Sequence, residues 1–188
     1  MKLLLHICCA PCSIMCIETL RGEGIEPVGF WDNPNIHPFT EFRMRRNTLV
    51  DYAKEIGLSL VVEGGYGLRP FLEAVGGDFD GRCPVCYRLR MRSAARYAAE
   101  NGFTHFTTTL LISPYQNHEL LAQTAREAAE EFGVSFLYRD FRPYFREGQD
   151  RARAMGLYMQ KYCGCIFSEE DRYQIGRASC RERVYRLV

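Results

Sequence analysis

The chain has no apolar run approaching the roughly 20 residues that a membrane-spanning helix needs, which excludes such a helix. Its opening, Met1-Lys2-Leu3-Leu4-Leu5, meets His6 too soon for the apolar region of a secretory signal and reads as a first strand. There is no internal repeat, low-complexity tract or linker, so a single domain is expected. Net charge is nearly absent, at +1, which leaves no bulk electrostatic attraction to nucleic acid. Lysine is scarce too, with 3 Lys against 21 Arg. Arginine is the better phosphate partner because its planar fork binds two oxygens at once. What remains is ordinary for a globular protein, with 47% hydrophobic and 25% charged residues.

The end of the chain stands apart. Ile175-Gly-Arg-Ala-Ser-Cys-Arg-Glu-Arg-Val184 reads as the in-frame translation of a sequencing-adapter oligonucleotide. Residues 175–188 are therefore set aside as artefact, Cys180 with them, and 1–174 is taken as one α/β domain with its native C-terminus missing. The stretch carries four Arg and one Glu, so removing it takes the formal charge from +1 to −2.

Strand-like and helix-like segments alternate, which predicts an α/β fold. The expected architecture is a mainly parallel sheet of about five strands with helices on both faces, in nucleotide-hydrolase-like layering. The strands are Leu3 to Ile7, Val28 to Trp31, Leu58 to Val62, His105 to Leu110 and Ser135 to Tyr138. Helices are expected from Pro11 to about Leu20, from Thr40 to Ile56, from Pro84 to Glu100 and from Asn117 to Phe132. The glycine-rich stretch from Gly64 to Gly81 holds one short helix near Phe71, and Phe145 to Tyr173 is helical around a Cys-Gly-Cys turn.

Seven of the nine cysteines fall in three tight clusters. Cys8, Cys9 and Cys12 lie where the first strand feeds the first helix, at the carboxyl edge where open α/β sheets place their sites. Helix N-terminal amides there favour thiolates. Cys83-Pro84-Val85-Cys86 opens another helix, a spacing suited to metal chelation or to a dithiol. Cys163-Gly164-Cys165 can close a small, easily reduced disulfide. Cys16 alone reads as a buried hydrophobe. Without an export signal the chain is expected in the cytosol, where thiols stay reduced and such clusters favour metal or catalysis over a disulfide framework. Adjacent Cys8 and Cys9 are awkward on one tetrahedral ion and easier across an iron–sulfur cluster, which favours 4Fe-4S on Cys8, Cys9, Cys83 and Cys86 and leaves zinc open.

Other polar residues gather at the same edge. Asp32, Asn33 and His37 follow the second strand as turn formers or as metal or substrate contacts. Ser113, Tyr115 and Gln116 follow the fourth. Tyr144, Arg146, Tyr158 and Lys161 near the third cluster are suited to stacking on a base or holding phosphate. His6 reads as a core histidine ahead of the cysteines.

With these residues placed, the chain resembles the epoxyqueuosine reductase QueH family over nearly all of Leu3 to Tyr173. The matching motifs are LLLHICCAPC, DNPNIHPFTEFRMRR, RCPVCYRLR, TTTLLISPYQN and GLYMQKYCGCIFSEE. Met159 departs from the arginine expected in that pattern, and Met91 from the leucine.

The resemblance implies the last step of queuosine synthesis, reduction of epoxyqueuosine at the wobble base of a tRNA with a GUN anticodon, without cobalamin. It implies a 4Fe-4S cluster on Cys8, Cys9, Cys83 and Cys86, a redox-active disulfide between Cys163 and Cys165, and an outside electron donor. An additional mononuclear iron is plausible, with Cys12 and Asp32 as candidate ligands. Arg43, Arg45, Arg46, Arg88 and Arg90 are candidates for a local tRNA-binding patch. Two other readings compete, a zinc-stabilised tRNA-binding protein and a thiol–disulfide oxidoreductase using Cys83 and Cys86.

Overall fold

The structure, a computed structural model, describes residues 1–174. The adapter-like stretch 175–188, Cys180 included, lies outside the described residues. The first strand, β1 (Leu3–His6), is buried along its whole length. A strand without polar alternation must be covered on both faces, and β1 is the central strand of a five-stranded sheet. With β2 (Pro27–Trp31), β3 (Leu60–Val62), β4 (His105–Thr108) and β5 (Ser135–Phe136), the order is β3-β2-β1-β4-β5. Every pairing is parallel, with Leu3 opposite Pro27 and His105, and His6 opposite Phe30 and Thr108.

Parallel strands need long crossovers, which are almost always right-handed. The sheet grows outward from β1 in two directions, so the crossovers lie on opposite faces. Helices α1 (Ala10–Gly22) and α2 (Phe39–Glu55) cover one face, and α6 (Phe145–Ala154) packs on α1. Helices α4 (Arg82–Glu100) and α5 (His118–Phe132) cover the other, with α3 (Leu68–Val75) against α4. Leu3, Leu4, Leu5, Phe30, Trp31 and Phe106 are fully buried between the layers. Each such side chain contributes about 1.5–3 kcal/mol relative to exposure.

The order of strands reverses beside β1, which creates a crevice between the carboxyl ends of β1 and β4. The two turns that line it are joined: the Cys8 N–H donates to Thr109 Oγ1 at 3.2 Å.

Most elements stand where the sequence places them, and the differences have local causes. β4 stops at Thr108 rather than Leu110 because the Thr108 hydroxyl accepts the Leu110 N–H at 3.2 Å and starts a 3-10 turn over Thr109–Ile112. β5 is only two residues long, although the Leu137 N–H still reaches Phe106 O at 2.9 Å. α5 starts and stops on its expected signals. Asn117 accepts the Leu120 N–H at 3.1 Å, and Gly133 ends the helix in the left-handed region. After α6 the chain has no regular structure until helical backbone resumes over residues 166–174.

Candidate metal and redox centre

The first cysteine cluster is built by the exit from β1. Cys9 is the N-cap of α1 and Pro11 stands in the first turn, with no acidic residue there to compete for the helix amides. The sulfurs of Cys8, Cys9 and Cys12 converge, all within 4.8 Å of one another, and all three residues are buried. Cys8 and Cys9 are 3.8 Å apart. Thiolates bound about 2.3 Å from a single tetrahedral ion also stand about 3.8 Å apart. Thr109 Oγ1 lies 3.5 Å from Cys8 Sγ, and Gln160 Nε2 lies 3.0 Å from Cys9 Sγ and 3.3 Å from Cys12 Sγ. Cys16 is buried one turn further on, with its S–H toward Cys12 O.

This trio does not share charge evenly. Hydrogen bonds from Cys12 and Cys9, helped by the nearby Arg90 charge and Thr109, hold Cys8 well below an ordinary thiol. Burial pushes Cys9 up, and the bonds to Cys8 and Cys9 push Cys12 up. Of the three, Cys8 is the thiol whose environment favours the thiolate. Metal uptake would displace the thiol protons.

The second and third clusters meet each other. Cys86 and Cys165 are buried in one small apolar cluster with Phe71 and Val75, while Cys83 and Cys163 are exposed. Burial pushes Cys86 up to about 12. Cys83 and Cys86 stand outside the 4.8 Å group formed by the first cluster. The link between the two regions is Arg90, whose Nη1 lies 3.9 Å from Cys86 Sγ and whose charge also acts on Cys8 and Cys163.

The Cys163-Gly164-Cys165 turn is held by the loop after β2 and by α2. Arg45 donates to Cys163 O at 2.9 Å and to Tyr162 O at 3.0 Å, and pairs with Glu41 at 2.7 Å. The His37 N–H donates to Gly164 O at 2.8 Å, and Tyr162 OH donates to His37 O at 2.6 Å. Gly164 has φ +149, and a Cβ there would stand 3.3 Å from Arg45 Nη1. Only glycine fits that backbone without strain. His37 is fully engaged by backbone: Nδ1 accepts the Ile166 N–H at 3.2 Å and Nε2 donates to Pro34 O at 3.0 Å. Neither ring nitrogen is left for a metal.

A cavity of about 610 Å³ opens beside the trio, lined by Cys8, Cys12, Gln160 and Cys163 and by Ser113, Tyr115 and Gln116. Tyr115 is 85% exposed and packs edge-on against Phe145. Gln116 receives Tyr87 OH on its carbonyl and lies 3.5 Å from Cys163 Sγ. Asp32 faces elsewhere, into a second cavity of about 450 Å³ lined by Gly64–Gly67, Arg92 and Arg96, where Ser93 donates to it. Asn33 is buried and bonds Ile7 O and Arg90.

Two of the expected RNA-binding arginines are corrected by burial. Arg45 and Arg90 are 1% and 2% exposed and face inward, because their helices turn those positions toward the core. The exposed cations of the cavity wall are instead Arg153, Lys161 and Arg172. Met159, the departure from the family's arginine, is partly buried against the core. Tyr158 OH is committed to Glu41. Gln160 and Thr109 had no sequence signal beyond lying inside the quoted motifs. Cys8 lies ahead of the helix, so the exit from β1 through the extended Cys9 brings it to Cys12, not the helical repeat.

Comparison with known proteins agrees with the resemblance. The family model described as "Epoxyqueuosine reductase QueH" matches residues 3–171. A protein of that name from Dehalococcoides mccartyi is 37% identical over 172 residues, covering 92% of this chain and 94% of the relative. One from Histophilus somni is 32% identical, over 97% of this chain and 78% of the relative. One from Thermotoga maritima is also 32% identical, over 96% of each.

Two measurements check this geometry. Glu41→Leu leaves the buried Arg45 without its carboxylate and is expected to cost about 3–5 kcal/mol in urea unfolding. The double variant Glu41→Leu with Arg45→Met recovers most of that loss, and a single-variant cost below about 1 kcal/mol refutes the pairing. Burial holds His37 at about 4, whereas the unfolded chain takes up that proton near about 6.5. The stabilising effect of a neutral His37 is therefore complete above about 6.5 and is lost as pH falls toward 4. The slope is at most about 1.4 kcal/mol per pH unit. His37→Gln is expected to flatten stability against pH across that window, and an unchanged slope excludes His37 as its source.

Proposed function

The chain belongs to the epoxyqueuosine reductase QueH family, and from that membership we propose that it reduces epoxyqueuosine to queuosine at the wobble position of tRNA with a GUN anticodon. The observation that carries the reading is the buried Cys8–Cys9–Cys12 trio, two of whose members, Cys8 and Cys12, line a cavity that also holds Cys163. Losing the epoxide oxygen as water takes two electrons and two protons. Cys163 and Cys165 supply such a pair when two thiols become a disulfide, and an outside reductant restores them.

The soft donors suit iron–sulfur ligation. In this reading Cys8, Cys9, Cys83 and Cys86 hold a 4Fe-4S cluster, and Cys12 is the candidate for an additional iron, Asp32 being turned to the second cavity. Metal bound there would supply one-electron transfer and a Lewis acid for the epoxide oxygen. The protein's own part is to favour the thiolate form of Cys8 and to fix Cys163 through Arg45 and Gln116.

The wobble nucleotide lies in a single-stranded loop, so it can be presented without opening a duplex. Tyr115 offers a face on the cavity wall, and Arg153, Lys161 and Arg172 offer charge. Among the described residues no helix is long and apolar enough to cross a membrane.

The test is an anaerobic assay on epoxyqueuosine-containing tRNA with product nucleosides read by mass spectrometry. Queuosine should form, and its absence with iron-loaded protein and a competent reductant refutes the activity. Cys163→Ser with Cys165→Ser should abolish repeated turnover; full multiple-turnover activity would sink the dithiol role. Lys161→Ala with Arg172→Ala should weaken tRNA binding and reduce the slope of log affinity against log salt by about one per lost contact. An unchanged slope excludes these residues as phosphate contacts.

A further inference from the structure

The molecule buries two guanidinium groups to the same depth but treats them differently. Arg45, 1% exposed, has a carboxylate: Glu41 stands 2.7 Å from its Nε. Arg90, 2% exposed, has none among the described residues. Its Nη2 donates to the neutral amide of Asn33 at 2.8 Å, its Nη1 points at Cys86 Sγ at 3.9 Å, and its Nε is buried without a partner. A permanently charged group left unpaired inside a protein costs several kcal/mol, which native folds avoid by supplying an anion.

The groups near enough to serve as that anion are thiols. Arg90 acts on Cys86, Cys8 and Cys163, one cysteine from each cluster. Its position is well determined: it lies two turns into α4 from Cys83, and Asn33, which anchors it, is itself fixed to Ile7 O at 2.9 Å. The other ionisable neighbour, His6, is kept neutral by burial and by Arg90 itself, and its Nδ1 is engaged with Thr108 Oγ1. The protein has therefore set a buried positive charge beside Cys86, with no carboxylate paired to it among the described residues.

We infer that Arg90 is a positioning residue that serves as the resident counter-ion of an anionic metal–thiolate group spanning the first two cysteine clusters and raises that group's reduction potential. The inference rests on the metal-site reading above. Reduction adds an electron, and a nearby positive charge stabilises the reduced state more than the oxidised one. The net charge around an iron–sulfur group is among the quantities that set its potential. Arginine suits the task better than lysine because it stays charged when buried.

The experiment uses full-length protein reconstituted anaerobically with iron and sulfide, comparing wild type, Arg90→Lys and Arg90→Met. Iron and acid-labile sulfide are measured first, and midpoint potentials are then found by a redox titration followed by electron paramagnetic resonance. Arg90→Met should load metal and titrate at a more negative potential, with Arg90→Lys between it and wild type. Fully loaded Arg90→Met at the wild-type potential overturns the inference. If Arg90→Met does not fold, Asn33→Asp puts a carboxylate against the guanidinium, and its midpoint should move in the same negative direction. A loaded Asn33→Asp protein at the wild-type potential also overturns it. A wild-type protein that takes up neither iron nor sulfide overturns the metal-site reading instead, and the metal analysis alone tells the two failures apart.

Discussion

β1 pairs in parallel with β2 on one side and β4 on the other, and that double pairing constrains everything that follows. Both neighbouring connections must leave the carboxyl edge and turn to opposite faces. The backbone between them cannot be covered by either crossover, so a crevice opens where Cys8 and Thr109 meet. A glycine loop there would cradle phosphate with helix amides. Here the same place carries thiols, and the same amides and dipole favour the Cys8 thiolate.

The segment after α6 has little regular structure of its own, yet it supplies Gln160, Cys163 and Cys165 to the site. It is tethered by groups from the other end of the sheet: Arg45 on its carbonyls, and His37 on Gly164 and Ile166. These contacts substitute for the hydrogen bonds that a helix or strand would supply. Buried charge carries much of the arrangement. The Arg45–Glu41 pair is compensated within the protein, whereas Arg90 has a neutral amide and a cysteine sulfur, and no carboxylate, among the described residues. The first reads as architecture and the second as provision for an anion.

The thiols are also divided by environment. Cys8, Cys9 and Cys12 are sheltered together, and Cys86 shares an apolar pocket with Cys165. Cys83 and Cys163 reach the surface. Access governs thiol–disulfide exchange, so in the dithiol reading proposed above the exposed Cys163, on the cavity wall beside Gln116, is the sulfur open to a reductant.

By itself the sequence determined the alternation of strands and helices, the apolar central strand, the prolines that open α1 and α4, and the three clusters of thiols. These are local properties, set by periodicity, turn residues and spacing along a few turns of chain. Leu3–Leu5 had to be covered, and Cys9 and Cys12 had to lie within the cap and first turn of α1 once it formed. Only the tertiary structure decided which arginines face water. The burial of Arg45 and Arg90 depends on partners from residues 162–163 and 33, far along the chain. It decided too that Asp32 turns to a separate cavity, that His37 spends both nitrogens on backbone, and that Gln160 reaches Cys9 across 151 positions. No local pattern encodes such pairings, because each is settled by how layers pack after every element has formed.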